Sequence, residues 1–452
     1  MYFTNMYKEE ALGGLVSYND IFLCVAFLVL LHFIIDWIIS YKRTGWTIDP
    51  WHFTILMSFI LTTVLQYPFI SSIANFFALG PNWKYASNYA EANFFINLLG
   101  YVFLLIGGVL YKHTAKDFRI SLNCWEKIIQ GNINSTFILR GMAIFMFLLT
   151  CLFVIWQVQK GILFQSRLFF LSESPSYRAL FNGLGSTMHI IIAYCICRVV
   201  EFRNRIDILL TILLILSSMF LGGRSLMLSS VLSIAIMLIY KNKGKINLKK
   251  CLIFLGLLIS LFFAVTYFRD GKGVADGSAN IETTLMAVFF YGNSFSDLRD
   301  GAVVISGFNG DYLFGNTYIA ALMSFIPRVL SDFREHWAFG VVTAGLAGYD
   351  TSVHPGMRMG MFGEPFLNFG YLGVCVVGLI LGYFLKRVDT KTKYIMNKNG
   401  NLIVMYVGTL YYGLFVSPLT NSSGFFFVYT FIIVNAMFYF IRLLIIELNK
   451  HS

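Results

Sequence analysis

The stretch RDGKGVADGSANIETTLMAVFFYGNSFSDLRDGAVVISGFNGDYLFGNTYIAALMSFIPRVLSDFREHWAFGVVTAGLAGYDTSVHPGMRMGMFGE, residues 269–364, decides how this chain is read. It is too broken by Gly, Arg, Asp and His to be held in a bilayer, whereas the sequence on both sides is nearly continuous Leu, Ile and Phe. Its six basic residues are Arg269, Lys272, Arg299, Arg328, Arg334 and Arg358. Ten acidic residues outnumber them: Asp270, Asp276, Glu282, Asp297, Asp300, Asp311, Asp332, Glu335, Asp350 and Glu364. The whole chain carries +11, so its positive excess lies elsewhere. Chemistry performed on one side of a membrane is expected in this segment.

Outward from it, the composition excludes a soluble domain and a nucleic-acid partner. Of 452 residues 57% are hydrophobic and 13% charged, with a mean hydropathy of +0.70, which is the profile of a multispanning membrane protein. Apolar windows of spanning length predict eleven helices, near residues 20–40, 51–70, 93–111, 138–159, 180–200, 206–221, 225–240, 251–268, 366–385, 402–418 and 425–446. The alternate connections tell the two sides apart. Twenty-two Lys and Arg fall at 42–43, 112–140, 198–205, 241–250, 386–398 and 442–450, against six in the opposite set (Lys8, Lys84, Lys160, Arg167, Arg178, Arg224). By the positive-inside rule the N-terminus and the long loop are outside and the C-terminus inside. The predicted fold is thus an all-α integral membrane protein, a single polytopic domain over 1–452. Residues 269–365 form one large, partly helical outer loop before the last three spans. Residues 1–20 lack the basic start and small-residue cleavage site of a removable signal peptide.

The seven cysteines fall in spans or inner connections and none in the long loop, which predicts no disulfide framework, and no CxxC pair suits zinc. Neither a metal nor a cofactor is expected. In the first span, His32 and Asp36 stand one turn apart on one face. The plain reading is that Asp36, near the inner end, reaches Lys42 or Arg43.

Two places carry anion-binding chemistry. Leu221-Gly222-Gly223-Arg224-Ser225 is a tight outer turn: the glycines allow positive φ, Ser225 can cap the next helix, and Arg224 stands beside helix N-terminal amides. In the long loop, residues 281–295 and 313–330 have helical, aromatic-rich patterns, Gly340–Gly348 reads as a flexible stretch, and five of six basic residues are Arg. Guanidinium forks bind phosphate bidentately and stay charged near a low-dielectric surface. Arg334 beside Glu335 and Arg299 between Asp297 and Asp300 have carboxylates to pair with, while Arg328 and Arg358 have no adjacent acid. Glu364 precedes Pro365, so it is equally readable as a helix-start acid or a catalytic one. His336 and His354 complete the titratable candidates.

The Gly222-Gly223-Arg224-Ser225 turn, the Phe325-Ile326-Pro327-Arg328 segment and the run Gly363-Glu364, Asn368-Phe369-Gly370 and Gly373 resemble the pattern of bacterial oligosaccharide repeat-unit polymerases, the Wzy-type O-antigen and capsule polymerases. The resemblance covers roughly residues 200–390 and the hydropathy profile. It implies a membrane glycosyltransferase of the inner membrane that polymerises undecaprenyl-diphosphate-linked oligosaccharides at the periplasmic face, alongside membrane lipids, a chain-length regulator and a flippase. Such an enzyme needs fixed cations for the departing lipid diphosphate and a base for the attacking hydroxyl. Arg224, Arg328 and Arg358, with Arg299 behind them, are the candidates for the first task; His354, then His336 and Glu364, for the second. Two features depart from the family pattern: the odd number of spans, and Val329-Leu330-Ser331-Asp332-Phe333-Arg334 in place of a Trp-Pro-rich, Lys-containing continuation. The alternatives are an O-antigen ligase using the same donor, and a lipid-linked oligosaccharide flippase. A flippase would show internal repeats and charged spans, which this chain does not.

Overall fold

A computed structural model of the chain describes residues 20–70, 87–114, 123–160, 178–218, 220, 224–245, 249, 256, 295–327, 330–351, 354, 356–397 and 417–451. No strand occurs among the described residues. The first half contributes α1 (Asp20–Thr44), α2 (Pro50–Ile55, running on as a π-helix over Leu56–Val64), α3 (Ala90–Thr114) and α4 (Asn123–Asn134). It continues with α5 (Thr136–Gln159), α6 (Arg178–Phe202), α7 (Arg205–Ser218) and α8 (Arg224–Lys241). The second half contributes the short helices α9 (Asp297–Ser306), α10 (Asn316–Leu322), α11 (Asp332–Trp337) and α12 (Phe339–Leu346), then the long α13 (Gly363–Asn397) and α14 (Gly424–His451).

Six of these, namely α1, α3, α5, α6, α13 and α14, are long and apolar enough to cross a membrane; Pro50–Val64 is apolar but shorter. Helices α7 and α8 lie where spans near 206–221 and 225–240 are expected but are not among those six, while the expected spans near 251–268 and 402–418 fall almost wholly outside the described residues. Residues divide into two compact units: Met1–Ala115, Gly271–Asp389 and Phe415–Gly424 in one, Lys116–Asp270, Thr390–Leu414 and Phe425–Ser452 in the other.

In the first unit, α1 is apolar all round and exposes Ile21, Phe27, Leu28 and Ile35, as a lipid-facing helix does. Two of its polar residues find partners on neighbouring helices. His32 Nδ1 lies 3.2 Å from the Tyr101 hydroxyl, and Asp36 pairs with His52 (3.1 Å) rather than with Lys42 or Arg43. The pairing follows from the start of α2, where Asp49 caps the helix by accepting from the His52 backbone N–H and Pro50 takes the first position, turning the imidazole back toward α1.

Helices α3 and α13 pack backbone against backbone. A Cβ at Gly107 would stand 2.2 Å from the Leu379 carbonyl oxygen, and one at Gly382 1.9 Å from that of Leu104. In a membrane, where apolar side chains gain nothing by leaving lipid, such small-residue contacts are what bring helices together. The span expected as a continuous helix over 366–385 is broken: Gly370 has φ 64° and ψ −154° inside α13. The break frees the carbonyls of Leu367 and Asn368 from their helical partners, and the Leu313 and Phe314 N–H groups donate to them at 3.0 and 3.1 Å. Residues 340–348, expected to be flexible, are mostly helix α12. The glycine there serves close packing, since a Cβ on Gly356 would meet the Gly340 Cα at 2.3 Å.

The second unit is built around Asp207 at the start of α7. Its carboxylate accepts from Arg140 Nε of α5 (2.6 Å) and Arg198 Nε of α6 (2.8 Å). The Arg198 guanidinium also donates to the Ile133 and Asn134 carbonyls, closing the C-terminal end of α4. Asn435 of α14 accepts from both Asn132 and Tyr194 through one amide oxygen. Removing one partner of a buried ion pair leaves an uncompensated charge. Asp207→Ala, which strands two arginines, is expected to destabilise this unit by about 3 kcal/mol or more. Loss of protein from the membrane fraction and a lower melting temperature in detergent would register it, and unchanged melting would refute the central role of Asp207.

Candidate functional site

One group of polar residues in the first unit collects where α9 lies on α3. Nothing in the apolar periodicity of the long loop marked α9; it starts just beyond the helical pattern expected at 281–295. All of its residues from Leu298 to Ile305 are buried. Asn93 of α3 fixes it by donating to the Leu298 and Asp297 carbonyls at 2.9 and 3.2 Å, and Gly301 makes room, because a Cβ there would meet the Asn93 amide nitrogen at 2.2 Å.

The N-terminal turn of α9 holds a chain of charges. Arg299 is buried and donates from Nε and Nη2 to Asp300 Oδ1 at 2.8 and 2.7 Å. The Ser296 hydroxyl donates to Asp300 Oδ2 at 2.8 Å and accepts from Arg358 Nη2 at 3.3 Å. Arg358, which has no acid beside it in sequence, finds one in space: its Nε stands 3.8 Å from Asp297 Oδ1, with the arginine side chain 48% exposed and the aspartate 17% exposed. Burial pushes the Asp297 carboxyl up to about 6, against the lowering effect of Arg358 and the Thr62 hydroxyl, while the Asp300 charge adds to the rise.

His354 stacks on Tyr349 with ring centroids 4.2 Å apart and planes at 7°. Its Nδ1 accepts from the Gly356 N–H at 3.2 Å, and burial holds its pKa below the usual value against the opposing pull of Asp300. A neutral ring that accepts at Nδ1 carries its proton on Nε2. His336 is exposed on α11 with its ring edge-on to Trp337 at 5.0 Å. Arg334, expected to pair with Glu335, instead donates to the Ile326 carbonyl. Arg224 opens α8, which makes Ser225 a residue of the first turn and not its cap. The Arg224 side chain, the Gly222-Gly223 turn and Arg328 lie outside the described residues.

Glu364 is fully buried, and each oxygen has a donor: the Thr317 hydroxyl at 2.7 Å on Oε1 and the Ser422 N–H at 2.7 Å on Oε2. Asn368 extends the brace by donating to Thr317 Oγ1 and the Glu364 carbonyl and accepting from the Gly315 N–H. The carboxylate therefore ties α10, the head of α13 and the turn at 417–424 together.

With this geometry in place, the comparison with known families bears on it. The sequence model of the family described as O-antigen polysaccharide polymerase Wzy matches residues 11–450, nearly the whole chain. The chain belongs to the Wzy family. No curated protein and no solved structure gives a significant match. As a Wzy polymerase it is a membrane protein of polysaccharide biosynthesis with a polymerising glycosyltransferase-type activity on lipid-linked oligosaccharides. The ligase and flippase readings are not favoured.

The Glu364 brace predicts a stability effect. Hydrogen bonds to a charged group contribute about 1.5 to 3 kcal/mol each, and Glu364→Ala removes two. Thermal unfolding of the purified protein in detergent should show a clear drop for Glu364→Ala and for Thr317→Val a smaller one. Equal melting for all three proteins would mean that the carboxylate braces nothing.

Proposed function

We propose that the Asp297–Ser296–Arg358 cluster is the centre at which this Wzy polymerase transfers a growing glycan from its undecaprenyl-diphosphate carrier to the next lipid-linked repeat unit. The observation that carries the reading is Arg358, a half-exposed guanidinium held beside an aspartate and a serine by single long contacts, with donors left for an incoming anion. Outside the cytoplasm, activation resides in the sugar–diphosphate bond of the donor, so what the enzyme supplies is charge for the leaving group and orientation of the acceptor. Arg358 takes the departing diphosphate; Arg224 and Arg328 are candidates for the same task on their sequence context alone. Arg299, behind them, holds Asp300 and through it the Ser296 hydroxyl. His354 presents Nε2–H as a further donor, and Glu364 acts as a positioning residue. His336 remains a reserve.

The reaction is placed at the periplasmic face of the inner membrane, with eleven spans, an outer loop at 269–365, and a flippase and chain-length regulator as working partners. The basic residues support this topology, since 22 fall on one side against six on the other outside the loop. In a cysteine-free background, Asn309→Cys should react with a membrane-impermeant maleimide from the periplasmic side of intact cells and Asn242→Cys only after permeabilisation. Labelling of both from one side would overturn the arrangement.

Lysine keeps the charge of arginine but loses its planar fork. One charge-assisted hydrogen bond lost at the transition state, about 1.5 to 3 kcal/mol, slows turnover by roughly ten- to a hundred-fold. Arg358→Lys, Arg224→Lys and Arg328→Lys should therefore shorten or abolish the polysaccharide ladder at normal protein levels, while Arg334→Lys does much less. Wild-type ladders from the first three would sink the diphosphate assignment. A deletion strain that accumulates carrier-linked polymer instead of single repeat units would indicate ligation and not polymerisation.

A further inference from the structure

We propose that Asp297 is the general base that takes the proton of the attacking sugar hydroxyl, an assignment that rests on the functional reading above. It follows from what each neighbouring titratable group has left to offer. Asp300 has both oxygens committed, one to Arg299 and one to the Ser296 hydroxyl. Glu364 is sealed from solvent with a donor on each oxygen. His354 has Nδ1 occupied by the Gly356 N–H and its proton on Nε2, so it donates and does not accept.

Asp297 differs from all three. Its carboxylate meets a guanidinium at 3.8 Å, longer than a hydrogen bond, while the nearby Thr62 hydroxyl donates to the Ser58 carbonyl at 2.8 Å, which leaves acceptor positions among the roughly four that a carboxylate offers. It is partly open, and it sits in the first turn of α9, where the helix end favours its ionised form. The same guanidinium that faces it also faces solvent, so a base and an anion donor stand within one side chain's reach.

The step balances without any other reactant. The acceptor hydroxyl oxygen forms a bond to the anomeric carbon of the donor sugar while its proton passes to Asp297. The bond from that carbon to the diphosphate oxygen breaks, and its electron pair leaves with the lipid diphosphate, whose growing charge Arg358 meets. A carboxyl raised to about 6 is largely ionised at neutral pH and more basic than an ordinary aspartate, which suits proton abstraction. The groups that face Asp297 are Arg358 ahead of α13, Asp300 on α9 itself and Thr62 on the π-helix. Asn93 of α3 holds its main-chain carbonyl.

The test uses the full-length protein in proteoliposomes, supplied with the lipid-linked repeat unit extracted from a strain lacking the gene. Wild-type polymerisation should rise with pH through about 6 and level off. Asp297→Asn, at unchanged melting temperature, should lose about a hundred- to ten-thousand-fold in rate, and its residual rate should be flat across that range. An Asp297→Asn protein that keeps the wild-type rate, or a slow one that keeps the acid limb, overturns the assignment. Should that variant fail to accumulate, Asp297→Glu decides: a reduced rate with a displaced acid limb supports the base, and a wild-type rate and limb overturn it. Wild-type protein that forms no polymer from this substrate would instead overturn the functional reading, and the two failures are thus told apart.

Discussion

A carboxylate removed from water must have both oxygens met by donors, and in the first unit Glu364 meets that requirement by drawing three chain segments together. Thr317 comes from α10, Ser422 from the turn at 417–424, and the acid itself from the head of α13. The break at Gly370, nearly two turns further on, frees carbonyls that the Leu313 and Phe314 N–H groups satisfy, so the connection into α10 is fixed from two directions. Leaving any of these groups unpaired would cost about 1 to 3 kcal/mol each, which is why the turn, the break and the acid stand or fall together. The Asp297–Ser296–Arg358 cluster is fixed separately, by the Asn93 clamp on α9.

The helical class and the long spans were legible because lipid-facing helices are apolar on every side and leave a continuous signal, as α1 and α5 do. The charge chemistry of the long segment was legible as composition: its arginines and acids are there, and Arg299 does pair with a flanking aspartate. What the sequence could not convey is which partners meet in space. Arg358 and Asp297 are 61 positions apart, and Asp36 finds His52 across a helix start, although Lys42 lies closer in sequence. Helix α9 is hard to read because three of its first four residues, Asp297, Arg299 and Asp300, are charged and read as exposed loop, whereas Arg299 and Asp300 are buried in a pair with each other. A faint signal existed in Ser296-Asp297-Leu298-Arg299-Asp300, where a small polar residue precedes two acids in the first turn of an apolar run.

Glycine carries two different messages in this chain. At Gly107 and Gly382 it marks places where one backbone approaches another, and larger residues there would push α3 and α13 apart. At Gly370 it marks a backbone conformation that side chains resist, and the helix is interrupted there. Sequence alone shows only that glycine is present. The rows of apolar residues around Gly107 and Gly382 argue for the first message, and nothing around Gly370 distinguishes the second.

The two arginine–aspartate contacts of the cluster differ by about one ångström, and that difference separates a closed pair from one with capacity left. Arg299 and Asp300 sit at hydrogen-bond distance and are buried, an arrangement that is costly to form in a low-dielectric interior and contributes little net stability, but which fixes both groups and the Ser296 hydroxyl in one geometry. Arg358 and Asp297 are held apart at 3.8 Å and partly open. A contact so long leaves the guanidinium short of donors satisfied and the carboxylate short of donors received, so each retains capacity for a third party. A tight pair at that position would consume the groups that the proposed reaction assigns to the diphosphate and the sugar hydroxyl. The buried pair next to it fixes Ser296, whose hydroxyl is the other contact of Arg358.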